Sequence, residues 1–464
     1  MNPEKANEAS PFLTSSRSTY GYTPSPEIES SLPTRGAPLS WFELLAMDAA
    51  CADDRFLLSP PRQFPHCQVT EDDPHNSSNL RPRNSRERES FHAAAFKRDP
   101  EAEERLASQM TTDHTIFDDP SSWTTDAPIT LSNLEHRLFT HFVRVSSKWL
   151  DFYDHNEHFS SVVPHLAIRN MGLMRAQLAL SARHMSLDKD ECQRYEGPTV
   201  DRNLAVQYYF ETLHYLNKAM RYSSYARSHE LIATSILIST YEMMDGSNQD
   251  WERHLKGVFW IQRFRDNHGE SGGLRQAVRW AWLRQDVWVA MRERRRVFSF
   301  WQPRKPLSIL TSSELASRAT FLLAQCVNYA SNEEQKTADF SERLGRGSEL
   351  LYLLQEWHDH LPSEYNPLPI VSHTATFPPI WVHPSPYAAA LQLHSLARIL
   401  VILNRPSTGG VEDYRAAQRL LTTSVNMICG IARTIDQHDH PASIVSLQCL
   451  VGGQYAKESL VSIC

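Results

Sequence analysis

Cysteine is scarce in this chain, and no two cysteines lie close together. The seven, Cys51, Cys67, Cys192, Cys326, Cys429, Cys449 and Cys464, stand singly and are odd in number. That excludes a disulfide framework and leaves no C-x-x-C unit to seat zinc, so a reducing compartment is expected. Long apolar runs are also missing. Stretches such as "RILVILN" fall well short of the roughly 20 residues that span a bilayer, and the polar start "MNPEKANEAS" lacks the apolar stretch of a signal peptide. An intracellular protein without a membrane segment is expected. No pair of alternating apolar-polar segments flanks an Asn-Gly or Asp-Gly turn, so β-hairpins are not expected. The glycine patterns of phosphate loops, dinucleotide sites and nucleophile elbows are absent, as is H-E-x-x-H. His155 and His158, His358 and His360, and His438 and His440 have no cysteine nearby and read as surface or hydrogen-bonding residues. The acidic clusters "DDRFL", "EDDPH" and "FDDPSS" lack the third acid that metal-dependent terpene cyclisation would need. No catalytic residue, metal or cofactor is therefore expected, and the chain is not read as an enzyme.

What is present divides near residue 130. The chain has 464 residues, 41% hydrophobic and 22% charged, enough for a large core. Residues 1–130 hold 12 Lys and Arg against 21 Asp and Glu, with 14 of the 27 prolines, whereas the remainder is nearly neutral. Proline interrupts regular structure and little apolar area offsets ordering entropy, so 1–130 reads as a largely disordered acidic tail. One island, "LSWFELLAMDAACADDRFLLSP" (39–60), spaces Ser40 and Glu43 as a capping box. It sets Trp41, Leu44, Leu45 and Met47 among Glu43, Asp48, Asp53 and Asp54, which predicts a short amphipathic helix near 40–58. Two roles fit it: docking on its own domain, or engaging a partner as an acidic-hydrophobic segment. The basic stretch "RPRNSRERESFHAAAFKR" is interrupted by Glu87 and Glu89 and reads as a solvated charged face.

From residue 131 onward the periodicity is helical. "LSNLEHRLFTHFVRVSSKWLDFY" opens on a Ser132/Glu135 capping box and predicts one helix with Leu134, Leu138, Phe142, Val145 and Trp149 on its buried stripe. "RNMGLMRAQLALSARHMSL" follows Pro164, read as a first-turn proline. "LAVQYYFETLHYLNKAM" is expected to bury Val206, Tyr209, Leu213, Leu216 and Met220. "HELIATSILISTYEMM" is apolar or small nearly all round, as a central helix should be, and Gly246 after Asp245 is its natural stop. Asp250 would cap the next helix, with Trp251, His254 and the small Gly257 serving the packing of the hairpin. In "QAVRWAWLRQDVWVAMRERRRV", Trp280, Leu283, Val287 and Met291 are in register, and four more helical segments follow. The fold class is all-α, a multi-helix globular domain over 131–464 without a regular repeat.

Several of these segments, in order, resemble one family. "AVQYYFETLHYLNKAM", "ATSILISTYEMMDGSNQDWERHLKGVFWI", "AWLRQDVWVAMRERRR" and "FPPIWVHPSPYAAALQLHSLARILVILNRP" look like the helical regulatory domain of fungal-specific transcription factors, usually headed by a zinc binuclear cluster. "LEHRLFTHFVRVSSKWLDFYD" and "LMRAQLALSARHMS" resemble its first two helices, so the likeness covers about 131–456. The resemblance implies a nuclear regulator of RNA polymerase II transcription whose partners are the transcription machinery or other regulators. A small-molecule effector and a homodimer are both compatible with it. The family's DNA-reading element needs six cysteines converging on two zinc ions at about 2.3 Å, and the absence of any C-x-x-C puts sequence-specific DNA binding in doubt. The end, "LVGGQYAKESLVSIC", resembles a segment after which family members continue, so a shortened C-terminus is expected.

Two residue sets remain as candidates. Arg292, Arg294, Arg295 and Arg296 form the densest part of a basic, tryptophan-rich stretch and could contact phosphates, although arginine stems often cover apolar surface instead. Tyr208, Tyr209, Trp280 and Trp288 are candidates to line an internal pocket. The sequence thus reads as a transcriptional regulatory module with no zinc cluster of its own; the alternative is a non-catalytic cytosolic ligand- or partner-binding helical protein.

Overall fold

The computed structural model describes residues 120–187, 200–246, 269–299, 301–371, 376–407, 409–436 and 438–461. The tail 1–119, its helix near 40–58, and the Asp250–Gly257 part of the expected hairpin lie outside the described residues. Within them the fold is all-α, with one isolated bridge between Leu368 and Trp381 and no strand.

The first half is built around the helix Met171–Leu187 (α5). Ahead of it run α1 (Asn133–His141), α2 (Ser147–Asp151), α3 (His158–Ser161) and α4 (Val163–Ala167). Against it pack α6 (Arg202–Ala219) and α8 (His229–Asp245), with the short α7 (Ser223–Ala226) between them. Ser132 and Glu135 do form a capping box, the Ser132 N–H donating to Glu135 at 2.9 Å and the Glu135 N–H to Ser132 at 3.3 Å. The predicted single helix is not uniform, however. Phe142–Ser146 is a π-turn joining α1 to α2. The wider turn adds a residue per revolution, so the buried line after Leu138 and Phe142 moves on to Ser146 and Leu150, and Val145 and Trp149 are left half-buried. Pro164 opens its own short helix, α4, and α5 starts later, where the Asn170 side chain accepts the Leu173 N–H at 2.8 Å.

Helix α6 also turns a different face inward from the expected one. Its buried residues are Ala205, Tyr208, Thr212, Leu216 and Ala219; of the predicted stripe only Leu216 is among them. Small side chains let α6 lie close on α5, and the larger Val206, Tyr209 and Leu213 flank the contact. Gly172 of α5 marks the tightest approach, since a Cβ there would sit 2.2 Å from Cδ1 of Tyr215. The Tyr215 ring has no room to retreat: its hydroxyl accepts from Asn170 Nδ2 at 3.0 Å and donates to the Trp123 carbonyl. Gly172→Ala is expected to lower the unfolding free energy by about 3 kcal/mol, the upper range for overpacking. An unchanged denaturation midpoint would show that the two helices do not meet this closely.

The second half is organised around α13 (Ser385–Asn404), which touches α10 (Ser312–Tyr329), α12 (Phe340–Asp359), α14 (Val411–Ala432) and α15 (His440–Val461); the short α11 (Asn332–Thr337) follows α10. By length and hydropathy α13 reaches the range of a membrane span, which the count of uninterrupted apolar residues did not anticipate. Most of it is buried among the four helices it touches, as befits the central helix of a core. Helix α9 (Gly273–Glu293) joins the halves, lying against α2, α3 and α8 on one side and α10 and α15 on the other. It is buried nearly all round, with Trp282 fully enclosed. A single hydrophobic cluster runs from Leu138 to Cys449 through α9.

Candidate functional site

The stretch with the most distinctive side chains ends α8. Gly246 stops that helix in the left-handed conformation, at φ 65°, and two acids, Glu242 and Asp245, stand in its last turn. A helix C-terminus disfavours negative charge, so both need partners. Asp245, with 2% of its side chain exposed, receives Arg202 in a two-pronged pair, Nε to Oδ1 at 2.8 Å and Nη2 to Oδ2 at 2.6 Å, while Arg183 of α5 lies 2.7 Å from Oδ1. Tyr209 donates its hydroxyl to Glu242 at 2.7 Å and stacks on Tyr241 with ring centroids 4.8 Å apart. Burial, reinforced by the Asp245 charge, pushes Tyr241 up to about 12. The acids therefore clasp α5, α6 and α8 together at one end.

The arginine-rich turn after α9 wraps around two buried carboxylates. Asp286 is fully buried; its Oδ1 lies 2.8 Å from Arg295 and its Oδ2 accepts the Phe298 N–H at 2.7 Å. Arg295 also reaches Glu293 at 2.8 Å and covers the Phe298 ring, 4.0 Å from its centroid. Burial raises Asp286 above the ordinary carboxylate range, with Arg295 and the Phe298 N–H acting in the opposite direction. Arg296 pairs with Glu334 of α11, which also holds Arg346 of α12. Arg294 takes the left-handed conformation that ends α9, and its carbonyl accepts the Asn332 N–H at 2.8 Å. Of the four candidate arginines, Arg292 and Arg296 keep 55% and 44% of their side-chain exposure while Arg295 keeps 16%. Phosphate contact would have to break the pairs of Arg295 with Asp286 and Glu293 of α9, or the pair of Arg296 with Glu334 of α11.

The four aromatic candidates make separate contacts. Tyr208 is buried with the Arg175 guanidinium 5.2 Å from its ring centroid, and Tyr209 belongs to the Glu242 clasp. Trp288 packs on the core. Trp280 donates to the Gly269 carbonyl at 3.1 Å, meets Trp301 edge-on and borders a cleft with Glu270, Glu314 and Arg318. That cleft encloses about 10 Å³, room for a single water rather than an organic effector.

A fourth polar centre was not foreseen. Asp151 accepts the N–H groups of Phe159 and Ser160 at 2.7 and 2.8 Å and so caps α3; burial lifts it to about 7. Arg284, in the middle of α9, donates to the carbonyls of Trp149 and Leu150 at 3.1 and 2.8 Å, closing the end of α2. Asp286 and Arg284 were detectable in principle as lone charges in the apolar run "WLRQDVWVAM". Among the described residues no group of three or more His, Cys, Asp or Glu side chains could hold a metal ion.

Residues 137–282 match the model of the fungal specific transcription factor domain. This stretch, just under a third of the chain, is similar to that family. The matched segment starts inside α1 and ends inside α9, so the domain corresponds to the first half of the fold and the part of α9 that packs on it. The clasp around Asp245 lies within the domain, and the arginine-rich turn lies just beyond it. The family is a transcription-factor family and not a known enzyme family, and the match supports a role in transcription regulation. No curated protein and no solved structure matches the chain significantly.

Proposed function

We propose that the chain is a nuclear regulator of RNA polymerase II transcription that acts by binding other regulators or the transcription machinery through its helical domain. The observation that carries this reading is the fungal specific transcription factor domain over 137–282. Supporting it, Asp245 and Glu334 face arginines from other elements and Asp286 faces Arg295 of the turn after its own helix, an arrangement that fastens the fold and does not converge on a reacting atom. A regulator of this kind needs a rigid surface and a route to the promoter. In this reading other regulators or the transcription machinery are the partners of that surface.

Tethering the full chain to a heterologous DNA-binding domain tests the proposal. Transcription of a polymerase II reporter is expected to change several-fold, in either direction, and a tagged chain is expected to accumulate in the nucleus. An unchanged reporter from a chain that is expressed and folded would count against the proposal.

A further inference from the structure

On the outer side of α1 and the π-turn, Leu131, Phe139 and Val143 line an open trough of about 310 Å³ with His136, Thr140 and Arg144. The three apolar side chains are only half-buried. Its charge is one-sided. Arg144 of its lining stands exposed, while Glu135, the acid nearest by sequence, is drawn away into a pair with Arg175. The trough is therefore apolar along its floor and basic at its rim.

We infer that the acidic, apolar segment 39–60 of the same chain docks in this trough. Its sequence supplies the complement: Trp41, Leu44, Leu45 and Met47 for the floor, and Glu43, Asp48, Asp53 and Asp54 for the rim. The tether also fits, because Leu131 of the trough lies only eleven residues after Pro120, where the described structure begins. About 60 residues separate the segment from Pro120, and a chain of that length reaches at most roughly 200 Å, so the tether does not limit docking. Attachment to the same chain makes such docking an intramolecular event. Another apolar face, on α14 and α15 at Val411, Tyr414, Val425, Leu447 and Leu450, is similarly exposed. It carries Glu412 and Asp413 as well as Arg415 and Arg419, so its charge is mixed where the trough's is basic. The docked segment would be withheld from outside partners, a conclusion independent of whether the chain acts on transcription.

The test replaces Trp41 of the full chain with the photo-crosslinker benzoylphenylalanine and maps its products by mass spectrometry. Crosslinks are expected within one chain, on residues 131–148, at a yield independent of protein concentration. Arg144→Glu should reduce that yield by about five-fold, near the upper limit for one exposed charge pair, and Asp48→Lys with Asp53→Lys should restore it. Arg144 is exposed, so the substitution leaves the fold intact. Crosslinks on 411–453, crosslinks only between chains, or a yield indifferent to Arg144→Glu would each overturn the inference.

Discussion

Asp286→Ala is expected to cost about 3–5 kcal/mol of unfolding free energy, the penalty for breaking a buried ion pair from one side. Asp286 is fully enclosed, and its two oxygens hold Arg295 at 2.8 Å and the Phe298 N–H at 2.7 Å. Alanine strands a guanidinium with 16% exposure and an N–H that water cannot reach easily. Glu293 remains to Arg295, but from the exposed side of the turn. Asp286→Asn keeps an acceptor for Phe298 and removes the charge, so its loss should be smaller. Asp286→Leu combined with Arg295→Met removes both charges and should recover much of the deficit, because well-packed apolar pairs replace buried ion pairs at little cost. Urea denaturation of the four proteins decides the matter. A single alanine variant within about 0.5 kcal/mol of the parent would show that this carboxylate does not anchor the turn.

The position of Asp286 gives that experiment a second meaning. Helix α9 lies between the two halves of the fold, and the family domain ends within it at residue 282. The turn 294–298 then binds the end of α9 to α10 through Val297 N–H and Asn328 at 2.8 Å, and to α11 and α12 through Glu334. Loosening Asp286 should therefore weaken the hold of the family domain on α10–α15 before it disturbs α5, α6 and α8.

The class of fold was legible because helix signals are local. The Ser132/Glu135 capping box and the Gly246 stop depend on residues within one turn of each other, and both formed as the spacing predicts. The inward faces were harder to read. Counting large apolar residues selected Val206, Tyr209 and Leu213 in α6, whereas the helix buries Ala205, Thr212 and Ala219, whose small size permits close approach to α5. The π-turn at Phe142–Ser146 shifted a stripe that had been read with a constant 3.6-residue period. The candidate residues were hardest. "RERRR" looks like a phosphate-binding run in one dimension, because its acidic partners Asp286 and Glu334 lie on other turns and another helix. Likewise nothing in the spacing of Tyr208, Tyr209, Trp280 and Trp288 reveals that they serve separate contacts, since convergence is a tertiary property.

Acid should unfold the second half through His394. This residue of α13 is 3% exposed, stacks on Trp357 with ring centroids 5.1 Å apart, and has its Nε2 3.0 Å from the Leu354 carbonyl. A carbonyl only accepts, so Nε2 carries the proton of a neutral ring. Burial, with smaller contributions from the charges of Arg398 and His358, depresses the imidazole to about 3. The unfolded chain takes up a proton near pH 6.5 while the folded chain does not, so this contribution is fully present above that pH and is lost as the pH falls toward 3. The loss attributable to one site should reach several kcal/mol. Asp151, lifted to about 7 by its burial, works in the opposite sense: its contribution is present below about pH 4 and is lost as the pH rises through 7. The total curve mixes the two, so the comparison must be with His394→Gln, whose amide can still donate to Leu354 but does not titrate. At pH 7 the variant should be the less stable protein, having lost the stacked ring; toward pH 4 the gap should close and then reverse. Stability curves that stay parallel from pH 7 to 4 would mean that His394 is protonated inside the fold or is reached by water.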